Sequence, residues 1–120
     1  MTDTETRTRT VYVRNLYALA FLLDNDPSIP LPYSLSVRNG LAWYVHDDIE
    51  TVLAIRKLMD DPITLPYDSR DFPVEITGTL AGFAATVDVA RRIALDPREG
   101  FIVPQPAMNP RLLATEQVPA

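Results

Sequence analysis

The sequence predicts an α+β fold: two helices packed on one face of a four-stranded antiparallel sheet, in αββαββ order. Three observations carry this. Apolar residues recur at helical spacing in two segments, about 15–25 and 48–59. Each segment is followed by paired runs of alternating apolar and polar residues, 33–46 and 72–90. Prolines close both helical segments and hold the next residues extended. With 120 residues, 47% of them apolar and 22% charged, the chain is one domain's worth and long enough to bury a core.

The first helix is expected over Asn15 to Asn25. Leu16, Leu19, Ala20 and Leu23 share a face that Phe21 and Leu22 widen, and Asn15 suits the N-cap. Ahead of it, threonine stands at every even position from Thr2 to Thr10, and residues 1–10 read as a flexible leader. Pro27, Pro30 and Pro32 end the helix.

Tyr33 to His46 reads as a hairpin turning at Asn39-Gly40. A three-residue loop, Arg38-Asn39-Gly40 with a left-handed glycine, pairs Val37 with Leu41, Leu35 with Trp43 and Tyr33 with Val45. All six large residues then share the core face, an arrangement that a one-residue slip would destroy. The second helix is expected from Asp48 to Met59, with Asp47 and Glu50 as a capping pair and Asp60-Asp61-Pro62 as the stop.

The second hairpin alternates Phe72, Val74 and Ile76, then Phe83, Ala85, Val87 and Val89. A loop of about four residues, Thr79 to Gly82, pairs Ile76 with Ala85 and Val74 with Val87. The β-branched Thr86, Val87 and Val89 favour strand over helix there. The αββαββ core is thus expected over residues 11–95. Residues 96–120 read as an irregular, proline-containing tail anchored by Phe101, Ile102 and Val103. Asp26-Pro27 with Leu31-Pro32-Tyr33 recurs about 34 residues later as Asp61-Pro62 with Leu65-Pro66-Tyr67. That repeat reads either as shared helix-stop chemistry or as internal duplication of one αββ unit.

Composition narrows the function classes. The sequence has no cysteine and one histidine, which leaves no disulfide framework, thiolate site, cysteine nucleophile or paired-histidine relay. Net charge is −5, and the deficit falls in residues 41–80, with eight acidic and three basic residues. Such a patch repels nucleic-acid phosphate. No secretory signal or membrane-length apolar run is present, so the expected location is the cytoplasm.

Candidate chemistry is sparse. His46-Asp47-Asp48 could serve a metal or acid–base site only if further groups converged on it, and helix capping already accounts for the aspartates. Asp60, Asp61, Asp68 and Asp71 lack the glycine-centred loop of a calcium site, and Gly78 with Gly82 lacks the context of a phosphate loop. No cofactor, metal or catalytic residue is assigned.

Tyr17-Ala-Leu-Ala with Phe21-Leu-Leu, then Pro32-Tyr-Ser-Leu-Ser-Val, and Arg38-Asn-Gly-Leu-Ala-Trp-Tyr-Val-His resemble a group of small uncharacterised proteins of actinobacteria, their phages and mobile elements. The resemblance covers about residues 15–46 well, the second hairpin loosely, and Asn109-Pro-Arg-Leu-Leu-Ala near the end. It implies an origin and carries no catalytic motif. Ten arginines against the single Lys57 agree with a GC-rich source.

Three function classes follow. The favoured expectation is a non-catalytic cytoplasmic accessory protein of phage or mobile-element origin that binds a host or phage protein. The alternatives are a nucleic-acid-associated regulator using Arg7, Arg9, Arg14, Arg91 and Arg92, and an enzyme or metal site around His46. The docking surface expected for the first is the sheet face turned away from the helices. There Tyr44 is central, with Ser34, Ser36 and His46 around it, and Glu75, Thr77, Ala84, Thr86 and Asp88 extend the face. Its occupant is a partner protein or a second copy of the chain.

Overall fold

A computed structural model describes residues 2–36, 40–95 and 108–113. The elements run α1 (Asp3–Asn25), β1 (Ser34–Ser36), β2 (Gly40–Val45), α2 (Ile49–Leu58), β3 (Asp60–Pro66), β4 (Val74–Leu80) and β5 (Phe83–Val89). Two single turns, α3 (Arg91–Ala94) and α4 (Pro110–Leu113), follow. The α+β class holds, but the sheet is five-stranded and mixed rather than four-stranded and antiparallel. Its order is β1-β2-β5-β4-β3, with β2 parallel to β5 and the other neighbours antiparallel.

The fifth strand is β3, in the segment expected to be a helix stop and acidic loop. Asp61 adopts a positive φ of 51° where the register with β4 shifts, and this bulge lets the chain turn from α2 straight into a strand. Pro62 and Pro66 are tolerated because β3 is an edge, where a missing N–H costs no ladder bond. The parallel β2–β5 join replaces the expected side-by-side hairpins. α2 and the β3–β4 pair form the crossover that returns β5 beside β2, where α2 packs on both.

Within their strands both hairpins keep the predicted faces but not the predicted pairs; Tyr33 and Phe72, just outside the strands, leave the core face. In the first, Leu35 lies opposite Leu41 and Ser36 opposite Gly40; Gly40 is left-handed, at φ 74°. Val37, Arg38 and Asn39 lie outside the described residues. In the second, Ile76 pairs with Val87 and Val74 with Val89, around a two-residue Ala81-Gly82 turn with φ of 53° and 83°. Positive φ at both turn positions matches the twist of the flanking strands, so the shorter loop wins. Each pairing differs from expectation by an even step, which preserves the faces.

The core forms in rows across the sheet. Trp43, Val87, Ile76 and Thr64 are consecutive neighbours, as are Val45, Val89, Val74 and Pro66. Val52 and Ile55 of α2, its C-cap Met59 and Leu19 of α1 close over them. Leu112 of α4 joins the same core from within the expected tail; Phe101, Ile102 and Val103 lie outside the described residues. The buried Trp43 indole donates Nε1–H to the Pro30 carbonyl at 2.8 Å, tying the proline segment to β2. Tyr33 and Leu35, expected in the core, are exposed instead: Leu35 lies on the three-residue edge strand β1, and Tyr33, just before it, packs its ring on Tyr44.

α1 begins at Asp3, so the expected flexible leader is helical. Thr2 is the N-cap, its side chain accepting from Glu5 N–H. The threonine hydroxyls bond back one turn, Thr6 to Thr2 O, Thr8 to Thr4 O and Thr10 to Thr6 O, at 2.9–3.1 Å. Asn15 is therefore mid-helix and not a cap; its side chain packs over Gly82, where a Cβ would come within 2.4 Å of it. At α2 the cap is Asp48 rather than Asp47, accepting from Glu50 N–H at 3.0 Å and the Thr51 hydroxyl at 2.9 Å.

Candidate functional site

Strand alternation sends Leu41, Trp43 and Val45 inward and leaves Ala42 and Tyr44 on the outer face of β2. The register then builds that face in rows. One runs Ser34, Ala42, Thr86, Thr77, Ile63; the next runs Tyr44, Asp88, Glu75, Leu65. Among the described residues no helix packs on this side: the helical residues of the core join the inward-facing strand residues.

Tyr44 is 42% exposed and sits in a small aromatic cluster. Its ring meets Tyr33 edge-on at 5.0 Å between centroids and Phe72 at 5.4 Å; His46 meets Phe72 at 5.5 Å. Phe72 was expected inward with Val74 and Ile76, but it precedes β4 and follows its loop instead. That loop is pinned by Tyr67 N–H to Pro73 O, Phe72 N–H to Ser69 Oγ and Arg91 N–H to Asp71 O. A cleft of about 440 Å³ opens beside the cluster, lined by Pro30, Leu31, Tyr33, Trp43, Tyr44 and His46. It lies where β2 outruns the short β1.

The structure brings the four expected site residues onto one region. Ser34 stands opposite Ala42, one outward position from Tyr44, and Ser36 stands opposite Gly40, one position further. His46 lies one outward position beyond Tyr44 at the other end and is exposed. Asp88 is next to Tyr44 on β5 and next to Glu75 on β4. Burial, then the charge of Glu75 and a hydrogen bond with it, push the Asp88 carboxyl up from 3.8 to about 6. Its Oδ1 is enclosed with no hydrogen-bond partner.

Tyr33 and Phe72, expected on the core face, meet Tyr44 instead, and Ile63 and Leu65 are face residues with no expected place. The signal for the last two was Ile63-Thr64-Leu65, an alternation between prolines that fits an edge strand. The other candidates remain apart. Arg7 lines a groove with Gly82, Phe83 and Ala84 at the start of β5, whereas Arg91 and Arg92 open α3 beyond its end. The Asp48 carboxylate is occupied as a helix cap, and His46 faces the Phe72 ring. No group of three or more histidine or acidic side chains among the described residues could hold a metal ion. Nor, among them, is any helix long and apolar enough to cross a membrane. Comparison of the chain with known protein families, curated proteins and solved structures gives no match.

Proposed function

We propose that this chain is a non-catalytic interaction protein whose outer sheet face docks another protein. The observation that carries the reading is a sheet face that no described helix covers, bearing the exposed Tyr33, Tyr44 and His46 with the half-buried Phe72, beside an open cleft. Aromatic side chains supply large contact area at low entropic cost and dominate binding energy at interfaces. The partner's chemistry follows from the row beside Tyr44. The acidic pair Asp88 and Glu75, bracketed by Tyr44 and Leu65, suits a lysine or arginine flanked by apolar side chains. The resemblance to small proteins of actinobacteria and their phages supports a host or phage protein, met in the cytoplasm of the producing cell.

The test is affinity capture from host lysate by wild type, Tyr44→Ala and Ser36→Arg, with circular dichroism as the folding control. Both substitutions should lose the same captured protein, Tyr44→Ala by about 1–3 kcal/mol in binding free energy. Capture equal for all three proteins would sink the reading. The nucleic-acid alternative draws no support from arginines at opposite ends of β5; a salt-dependent shift of DNA or RNA would revive it.

A further inference from the structure

α1 has two apolar faces, and among the described residues only one packs into the core. Tyr12, Leu16, Leu19 and Leu23 turn toward the core. On the opposite side Val13, Tyr17 and Phe21 recur every fourth residue and are 41%, 75% and 71% exposed. Two aromatic rings this open on one helix stripe are a contact surface in search of a cover.

The charges beside the stripe indicate what covers it. At 100° per residue, Arg9, Ala20 and Asp24 lie on the flank shared with Val13, and Arg14 lies on the flank shared with Phe21. Arg9, Arg14 and Asp24 make no ion pair among the described residues. Now let two copies of α1 pack antiparallel about a twofold axis at Tyr17. Tyr17 meets its own counterpart, and Val13 comes level with Phe21 of the second copy. The same flanks face each other across such an axis, so Asp24 arrives within one residue of the level of the second copy's Arg9. Arg14 comes within one residue of the level of the second copy's Phe21, as a cation over an aromatic ring requires. A parallel pair would instead join opposite flanks at equal levels, leaving Arg9 fifteen residues from the level of Asp24 and Arg14 seven from that of Phe21, so neither match forms. The stripe is self-complementary in one orientation only.

We propose that the outward stripe of α1 is a self-recognition surface, on which two copies of this chain pair antiparallel through Val13, Tyr17 and Phe21. The two sheets then lie on opposite sides of the helix pair, leaving their outer faces open. A strip about 22 Å long, from Arg9 to Asp24, falls short of the roughly 800 Å² per partner of a standard interface, so the dimer is weak.

Sedimentation of the full chain from about 10 µM to about 1 mM, a range set by that small interface, tests this. Wild type should pass from monomer to dimer. Tyr17→Arg, which opposes two like charges on the axis, should remain monomeric with an unchanged circular dichroism spectrum. Arg9→Asp and Asp24→Arg should each weaken the dimer, by up to about fivefold for each of the two symmetry-related pairs. The double swap Arg9→Asp with Asp24→Arg should restore it. A wild type monomeric throughout, a dimer that survives Tyr17→Arg, or a double swap no better than its parents would overturn the proposal. So would a dimer lost on Tyr44→Ala, which would move the contact to the sheet.

Discussion

Asp88→Asn should make the protein more stable at neutral pH and leave it unchanged in acid. The Asp88 carboxyl stands at about 6 in the folded chain against 3.8 ordinarily, because burial and then Glu75 oppose its ionisation. The folded state therefore holds this proton more tightly than the unfolded state does. The resulting stabilisation is complete below pH 3.8 and is lost as pH rises through about 6. Two units correspond to about 3 kcal/mol for a fully enclosed group; Asp88 is partly open to solvent, and screening reduces this to about 1 kcal/mol. Asparagine is neutral at every pH and can still donate to Glu75. The stability difference between wild type and Asp88→Asn should therefore open by about 1 kcal/mol between pH 4 and pH 7, or about 3–5 °C in Tm for a chain of this size. Urea unfolding followed by circular dichroism at four pH values in that window measures it, and effects common to both proteins cancel. Glu75→Gln in the wild-type background should shift the titration midpoint down. A difference that stays flat from pH 4 to pH 7 would refute the assignment of a costly charge to Asp88.

Three further outcomes are expected. Gly40→Ala should cost about 2–4 kcal/mol in thermal or urea unfolding, because Gly40 has φ 74° and a Cβ there would lie 1.9 Å from the Ala84 carbonyl oxygen. Arg56→Ala should cost about 2–4 kcal/mol and speed hydrogen exchange at Leu112. The buried Arg56 donates through Nη1 to Leu112 O at 2.8 Å and to Thr64 Oγ1 at 3.2 Å. Thr8→Ala should slow hydrogen exchange over the first turns of α1, gaining a few tenths of a kcal/mol, since the back-bonded Thr8 hydroxyl is exposed and alanine is the better helix former.

Local periodicity was legible wherever one face of an element is buried. The stripe Leu16, Leu19 and Leu23, the α2 set Val52 and Ile55, and the inward residues of β2 and β5 all fall where spacing puts them. The outward positions of Tyr44, Ser34, Ser36, Glu75 and Asp88 follow from the same period of two, which is why the candidate face could be drawn before the fold. Positions that depend on a neighbour in space were not legible. Leu35 fits the apolar alternation yet lies on a short edge strand, Tyr33 fits it yet packs on Tyr44, and Phe72 fits it yet obeys its loop.

The sequence by itself determined the helices over 15–25 and 49–58, the strands of the two hairpins, the faces of β2, β4 and β5, the left-handed Gly40 and the lack of cysteine. Each rests on interactions among residues close along the chain, or on the composition itself. Tertiary structure alone decided that β2 and β5 run parallel and that Asp60–Pro66 is an edge strand. It also set the raised Asp88 carboxyl and the aromatic contacts of Tyr44. Alternation states which way a side chain points but not which strand lies beside it. Strand order is fixed by how α2 and the sheet bury area together, a quantity that no window of sequence contains.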